Sequence, residues 1–367
     1  MHNTPSHALH TPSGLTPHTA APLRVVIVGA GAIGGLLGAW LGARLPAGRV
    51  RLSVLARGAT LAALSHHGLR WESAAGAGLG EGQGAERHTV ALAQVSADPA
   101  ELGPQDVVIV AVKAPALASV APLVRALLAP HTQVLVAMNG VPWWFFQALG
   151  PEVAGPCAGL HLQSADPHGA IAAAIPTAQV VGCVVHISSS TPEPGLVRHA
   201  MGNGLILGLP AGGLTPELQA LGALLSQAGL AVTLSERIQR DIWFKLWGNM
   251  TMNPVSALTG AACDAILDDA LVRQFCSAVM LEAQAIGARI GCAIEQSPED
   301  RHAITRKLGA FKTSMLQDLE AQRPLEIDAL VATVREVGQH LGVATPHTDA
   351  LLGLTRLMAR TRGLYPN

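Results

Sequence analysis

In the segment FKLWGNMTMNP, residues 244–254, Lys245, Asn249 and Asn253 follow one another at intervals of four. On an α-helix each such step turns by only about 40°, so one cation and two carboxamides would form a row along one face. The residues between them (Phe244, Leu246, Trp247, Met250, Met252) are apolar. A lysine among buried bulk is expensive unless it is used. Two carboxamides beside it can hold a polar ligand and leave its charge intact. Such a row suits proton donation to an oxyanion. A plainer alternative stands beside this one. Lys245 could be a surface lysine with its stem over Trp247, and the two asparagines could be capping amides, with Asn253 before Pro254 marking a helix end.

A second pattern, far upstream, would supply what needs a proton. Gly29, Ala30, Gly31, Ala32, Ile33 and Gly34 spell GxGxxG directly after the β-branched run RVVIV and before a helical stretch. In that setting the first glycine allows a tight turn, the second lets a pyrophosphate approach the backbone, and the third lets helix pack on strand. The helix N-terminus would hold the phosphates. NAD sites place an acidic residue about 20 residues on, against the ribose hydroxyls. Here no acidic residue occurs between Gly29 and Arg70, and Arg57 ends the second strand. A guanidinium there can grip a 2′-phosphate, which favours NADP(H); a solvated surface arginine is the alternative. Lys113 and Asn139-Gly140 end two further strands at the edge where ligands bind in such sheets. A snorkelling lysine and a simple NG turn are their alternatives.

The elements that must carry these groups are legible as alternation. RVVIV (24–28), RLSVLA (51–56), DVVIVAV (106–112) and QVLVAM (133–138) read as buried strands, with helices reaching about Leu45 and spanning about 115–128. Residues 74–87 read as a loop or hairpin. From about 153 to 235, VVGCVVHIS, LVRHAMG and GLILGL are separated by the turn signals TPEPG and GNG, suggesting appended antiparallel strands, and GLAVTLS (229–235) closes this half. From Ile238 the periodicity is helical, interrupted by Pro254, Pro298, Pro324 and Pro346. The expected fold is α/β. It comprises a disordered extension (1–22), an N-terminal Rossmann-type doubly wound domain with appended antiparallel strands (23–236), and a C-terminal all-helical domain (237–367).

Composition narrows the function classes. The 367 residues suffice for two cores, and a net charge of −1 with 13% charged residues gives no electrostatic footprint for nucleic acid or an anionic membrane. Five cysteines without CxxC spacing read as buried thiols of a reducing compartment. The 15 histidines form no HxxxH or HExxH pair, so no metal is expected. The first 22 residues lack Lys, Arg and any apolar run, which argues against a targeting peptide, and no transmembrane span is expected. A cytoplasmic protein is the expectation.

Taken together, VIVGAGAIGG, AVKA (111–114), MNGV (138–141), KLWGNMTMNP (245–254) and TSMLQDLEAQRPLEID (313–328) resemble the ketopantoate reductase family, in the family's order. The resemblance implies NADPH-dependent reduction of a 2-oxo acid, foremost 2-dehydropantoate, to a 2-hydroxy acid. It implies Lys245 as proton donor and Glu326 as the carboxylate facing substrate and nicotinamide. Asn249, Asn253 and Ser314 would bind substrate. Lys113 and Asn139 would contact cofactor, Asn139 also substrate, and Ser188 would lie near a backbone cofactor contact. The small 2-oxo acid is the implied partner, and a second copy of the chain is a further candidate. Taken alone, Ser314 could be a solvated helical serine and Glu326 a helix start after Pro324.

The chain departs from the family pattern in places. Cys263 stands where some members carry a further Asn, and VPWWFF after Asn139-Gly140 is bulky. Trp143, Trp144, Phe145 and Phe146 read as a helix packed into the interdomain cleft. Alternatively Trp143 or Trp144 walls the pocket and selects a bulkier 2-oxo acid. A non-enzymatic NADP(H) sensor is the remaining alternative; retention of Lys245 with both amides argues against it.

Overall fold

The computed structural model describes residues 21–73, 87–307 and 309–366. Ten strands form one sheet: β1 (Leu23–Val28), β2 (Val50–Leu55), β3 (Leu69–Ser73), β4 (Arg87–Val90), β5 (Gln94–Ser96), β6 (Gln105–Val110), β7 (Leu128–Ala137), β8 (Val180–Glu193), β9 (Leu196–Gly208) and β10 (Ala231–Ser235). Their order is β4-β3-β9-β8-β7-β6-β1-β2-β5, with β10 also on β9. From β5 to β8 every pairing is parallel. The chain leaves β1 for β2 on one side and returns to β6 on the other, which places a topological switch point at the carboxyl ends of β1 and β6.

The buried strands send alternate residues to two different cores. Val26, Val28, Val108, Val110, Val134 and Val136 face one, and Val25, Ile27, Val107, Ile109 and Leu135 face the other. Burial on both faces is why these strands lack polar alternation.

Helices of seven residues or more are numbered here: α1 (Ala32–Arg44), α2 (Gly58–His67), α3 (Ala114–Arg125), α4 (Pro216–Gln227), α5 (Ile238–Thr259), α6 (Ala270–Arg289), α7 (Pro298–Arg306), α8 (Ser314–Glu320), α9 (Thr333–Leu341) and α10 (Pro346–Thr361). A five-residue π-helical stretch, Asp328–Ala332, leads into α9. The sheet curls around α1, whose glycines face it closely. A Cβ at Gly35 would meet the Val197 side chain at 2.5 Å, and one at Gly42 would meet Val90 at 2.2 Å. Beyond β10 the described residues are helical or irregular and contain no strand. The α/β class with a Rossmann-like sheet and a helical C-terminal region is thus the observed fold.

The structure differs from the sequence expectations at several points. LVRHAMG and GLILGL are one strand, β9, and GNG is not a turn between two. The outer edge of β9 pairs with β3 over Leu196–His199 and with β10 over 204–208, both in parallel, so GNG falls where the strand changes neighbours. Only the β8–β9 and β3–β4 pairings are antiparallel. Strands β3, β4 and β5 were not anticipated. The expected extension 1–22 lies almost wholly outside the described residues, as does the expected loop 74–87, whose last residue, Arg87, begins β4.

Pro254 does not end a helix. It lacks the N–H that would bond the Met250 carbonyl, yet α5 runs on to Thr259 because Met250 to Ala257 are all buried. The real stop is Gly260, at φ 74°, whose N–H caps Ser256. Trp143 to Phe146 form turns, not a helix, and all four side chains are buried.

Two tryptophans fix α5 in the helical half. Trp243 and Trp247 are fully buried, and their indole N–H groups donate to the carbonyls of Ala283 (3.2 Å) and Met280 (2.9 Å) on α6. The helix carrying Lys245 is therefore held rigidly while its other side faces the sheet. No helix among the described residues is long and apolar enough to cross a membrane. All five cysteines are free and buried.

Candidate active site

The glycine-rich turn joins β1 to α1 at the switch point, and its three glycines are required for three different reasons. Gly29 has φ +95°, and a Cβ there would strike Val112 at 2.7 Å. A Cβ on Gly34 would lie 2.2 Å from the Gly29 carbonyl oxygen. Gly31, by contrast, has nothing within 4 Å of the place its Cβ would take, so its outer face is open. Gly31 is also the N-cap of α1, with no side-chain cap and no acidic residue in the first turn. The amides of Ala32, Ile33 and Gly34 therefore form an uncapped, electropositive helix start. Ser189 Oγ donates to the Ala32 carbonyl at 2.7 Å. That is the residue after the expected Ser188, and it anchors β8 to the turn. Arg57 is the exposed N-cap of α2, just past β2.

Lys245, on α5, projects toward the carboxyl end of β7 and the middle of β8. Its Nζ donates to Asn139 Oδ1 at 2.9 Å and to the Val185 carbonyl at 2.6 Å. By area the side chain is only partly covered, yet the ammonium itself is surrounded by protein. Burial pushes its pKa from 10.5 down to about 8, against opposing pulls from Cys183 and Glu326. An ammonium has three donors, so one N–H remains for a ligand.

Lys245 and Asn249 line a small cleft together with Met138, Asn139, Gly140, Val184, Ile242 and Leu246. One turn further along α5, the buried Asn253 places its Nδ2 3.5 Å from Ser314 Oγ at the start of α8. The row of cation and amides expected on one helix face is present.

Two contacts cross between sheet and helices on the far side of the cleft. Glu326, buried, accepts from the Ala114 amide at 3.1 Å and so caps α3, a favourable place for a carboxylate. Its charge acts on both Lys113 and Lys245. Lys113, at the end of the β6 segment, is paired with the buried Asp318 of α8, which also takes Arg323 at 3.0 Å. The Asn139 turn is itself pinned. Val141 N–H donates to the Ala329 carbonyl at 2.8 Å. Gly140 has φ +82°, and a Cβ on it would lie 2.3 Å from that carbonyl oxygen.

The structure thus gathers Lys245, Asn249 and Asn139 on one cleft, and Asn253 with Ser314 beside it. Glu326 and Lys113 stand at the junction of sheet and helices. Arg57 lies apart, on the strand-end rim next to the glycine turn's own strand. Trp143 and Trp144 do not line the cleft; Trp144 packs against Gly182 beneath it. Three groups escaped the sequence reading: the Val185 carbonyl, Ser189 and Asp318. Asp318 carried a usable signal, since it follows Ser314 by four residues on the same helix. Among the described residues no cluster of His, Cys, Asp or Glu could hold a metal ion.

Two sequence models of one family match the chain: Ketopantoate reductase PanE/ApbA over residues 25–142, and Ketopantoate reductase PanE/ApbA C terminal over residues 237–359. A 2-dehydropantoate 2-reductase of Mesorhizobium japonicum is 41% identical over 343 residues, covering 94% of this chain and 100% of the relative. A crystal structure described as a candidate ketopantoate reductase from Ralstonia solanacearum is 60% identical. It covers 93% of this chain and 99% of its own, with a TM-score of 0.85. The crystal structure of 2-dehydropantoate 2-reductase from Geobacter metallireducens is 28% identical, covering 92% and 100%, with a TM-score of 0.74.

Proposed function

The chain belongs to the ketopantoate reductase family, and on that premise we propose that it reduces a 2-oxo acid to the 2-hydroxy acid with NADPH, foremost 2-dehydropantoate to pantoate. The observation that carries this reading is the Lys245 ammonium. It is enclosed, oriented by two carbonyl oxygens, and its pKa is brought down to about 8.

The glycine turn fits a dinucleotide. The open face of Gly31 and the uncapped start of α1 suit a pyrophosphate, and Arg57 suits a 2′-phosphate in a strand end without a carboxylate. When bound, the nicotinamide supplies a hydride to the ketone carbon. The remaining work falls to the chain. Asn253 and Ser314 hold the substrate carboxylate, and Asn249 a polar group on its side chain. The free N–H of Lys245 points at the ketone oxygen, stabilises the charge that grows there and transfers the proton. An ammonium with a pKa near working pH is a better acid than an ordinary lysine. Glu326 and Asn139 keep that ammonium charged and aligned, and Lys113 with Asp318 ties the strand end to α8.

The test is NADPH oxidation with 2-dehydropantoate by the native chain and by Lys245→Ala. Loss of the general acid should lower kcat by roughly 10²–10⁴-fold. A variant that kept most of its kcat would remove the lysine from the mechanism.

A further inference from the structure

The residues beyond α10, 362–366, fold back against the segment that carries Glu326. The return starts at Gly363, at φ +69°, whose N–H bonds the Arg360 carbonyl, and Leu364 N–H bonds the Ala359 carbonyl at 2.8 Å. Leu364 is buried, and its own carbonyl takes the Leu325 N–H in a longer contact of 3.4 Å. Tyr365 Oη donates to Asp328 Oδ1 at 2.6 Å, and Arg356 Nη2 donates to the same oxygen at 2.8 Å. Hydrogen bonds of this charge-assisted kind are stronger than neutral ones. The Tyr365 ring lies within cation–π range of two guanidinium groups, with Arg356 Cζ 5.6 Å and Arg360 Cζ 5.5 Å from its centroid. Arg360 Nε in turn donates to the Pro366 carbonyl at 3.0 Å.

Leu325 and Asp328 bracket Glu326 in the chain, and the backbone that follows is committed as well. Thr333 N–H reaches the Asp328 carbonyl, five residues back, where an α-helix would give it the Ala329 carbonyl. The π-helical turn thereby leaves Ala329 O for Val141 N–H and the Thr333 hydroxyl. From this held stretch the Glu326 carboxylate reaches the Ala114 amide at 3.1 Å, and its charge acts on Lys113 and Lys245. A side chain keeps such a reach only while its own backbone is held in place by surrounding residues. Neither Tyr365 nor Arg356 lines the cleft, so any influence they have on it passes through this segment.

We infer that Tyr365, with Arg356 on the same carboxylate, is a positioning residue of the active site: by holding Asp328 it fixes the backbone from which Glu326 reaches α3, and so keeps the Glu326 charge in place for Lys245. The inference rests on the reductase reading for the part that this charge plays in turnover. The titratable groups coupled to Lys245 are Glu326 from this segment and Cys183 and His186 from β8. Burial pushes the Cys183 thiol up to about 12, which leaves Glu326 as the group that favours the charged lysine. A displaced Glu326 therefore lowers the Lys245 pKa. Burial, then the bond to Asp328, pushes the Tyr365 phenol up to about 12. Tyr365 is thus neutral while Lys245 titrates, and removing its hydroxyl alters geometry without altering charge.

The test follows Lys245 itself, by carbon-13 NMR titration of protein labelled at the lysine Cε and free of ligand. Lys113, Lys307 and Lys312 are the other lysines, and Lys245→Met assigns the signal. The native midpoint should lie at about 8. Glu326→Gln should lower it by about half a pH unit. Tyr365→Phe and Asp328→Asn should each lower it by part of that interval, and Tyr365→Phe should add nothing in the Glu326→Gln background. The basic limb of kcat for 2-dehydropantoate should move with the midpoint in each variant. A purely structural tether would lower the melting temperature and leave the lysine titration where it is. Tyr365→Phe keeps the ring and its packing, so it decides the matter even where Asp328→Asn does not fold. A native midpoint retained in Tyr365→Phe or in Glu326→Gln, or an equal shift from Tyr365→Phe with and without Glu326, would overturn the assignment. If the native chain reduced no 2-oxo acid, the reductase reading would fail, and the titration would still decide for or against Tyr365.

Discussion

Replacing Lys245 by methionine should make the folded protein more stable while disabling it. The two effects have separate physical origins. Bringing an ammonium from 10.5 down to about 8 corresponds to about 3 kcal/mol of penalty on the charged form in the folded state, at 1.36 kcal/mol per pH unit. Methionine keeps the unbranched stem and removes that penalty. Against it stand the two acceptors left behind, Asn139 Oδ1 and the Val185 carbonyl, at about 1 kcal/mol each. The net expectation is a gain of about 1 kcal/mol at pH 7. The sign with pH follows from proton linkage. Between pH 8 and 10.5 the unfolded chain binds the lysine proton more tightly than the folded one, so native stability should rise with pH across that window. Below pH 8 the penalty is fully present and flat. Urea unfolding of native chain and Lys245→Met at pH 7 and pH 10 reads both effects. The native chain should gain on the variant by roughly 2 kcal/mol between the two pH values. A variant destabilised at both pH values, or parallel pH profiles, would show that the ammonium is not desolvated as described.

Three further outcomes follow from the same geometry. Gly31→Ala should leave the melting temperature nearly unchanged but weaken NADPH binding, whereas Gly34→Ala, with its Cβ at 2.2 Å from the Gly29 carbonyl, should lower both; thermal melts and nucleotide fluorescence titration separate the pair. Arg57→Ala should raise KM for NADPH far more than for NADH, and equal effects would exclude a 2′-phosphate contact. Trp247→Ala should cost about 3–5 kcal/mol in chemical denaturation, because a fully buried ring and its bond to Met280 are lost together.

What was legible in the sequence was local. Gly29, Gly31 and Gly34 act within one turn, and Lys245, Asn249 and Asn253 share one helix face, so spacing alone places them correctly. What was illegible depends on partners distant along the chain. Lys113 meets Asp318 across 205 positions, and Ala114 meets Glu326 across 212. The unity of β9 could not be read from GNG, because its continuity is imposed by β8 on one edge and by β3 and β10 on the other. Pro254 misled for a related reason. The helix survives a missing amide because packing on both sides outweighs one hydrogen bond, and packing leaves no local mark. The aromatic block after Gly140 has the composition of a helix, but its backbone is committed to turns that bury four large rings in six residues of chain.

The bond from Val141 to Ala329, with Gly140 pressed against the same carbonyl, has a mechanical consequence. It rivets the loop that presents Asn139 to the segment that bears Glu326, so the two groups that act on Lys245 share a single foundation. Any breathing of the molecule that admits a substrate must swing about this seam rather than through it. The Asn139 turn and the Glu326 segment would then move as one piece, and their spacing about Lys245 would be kept.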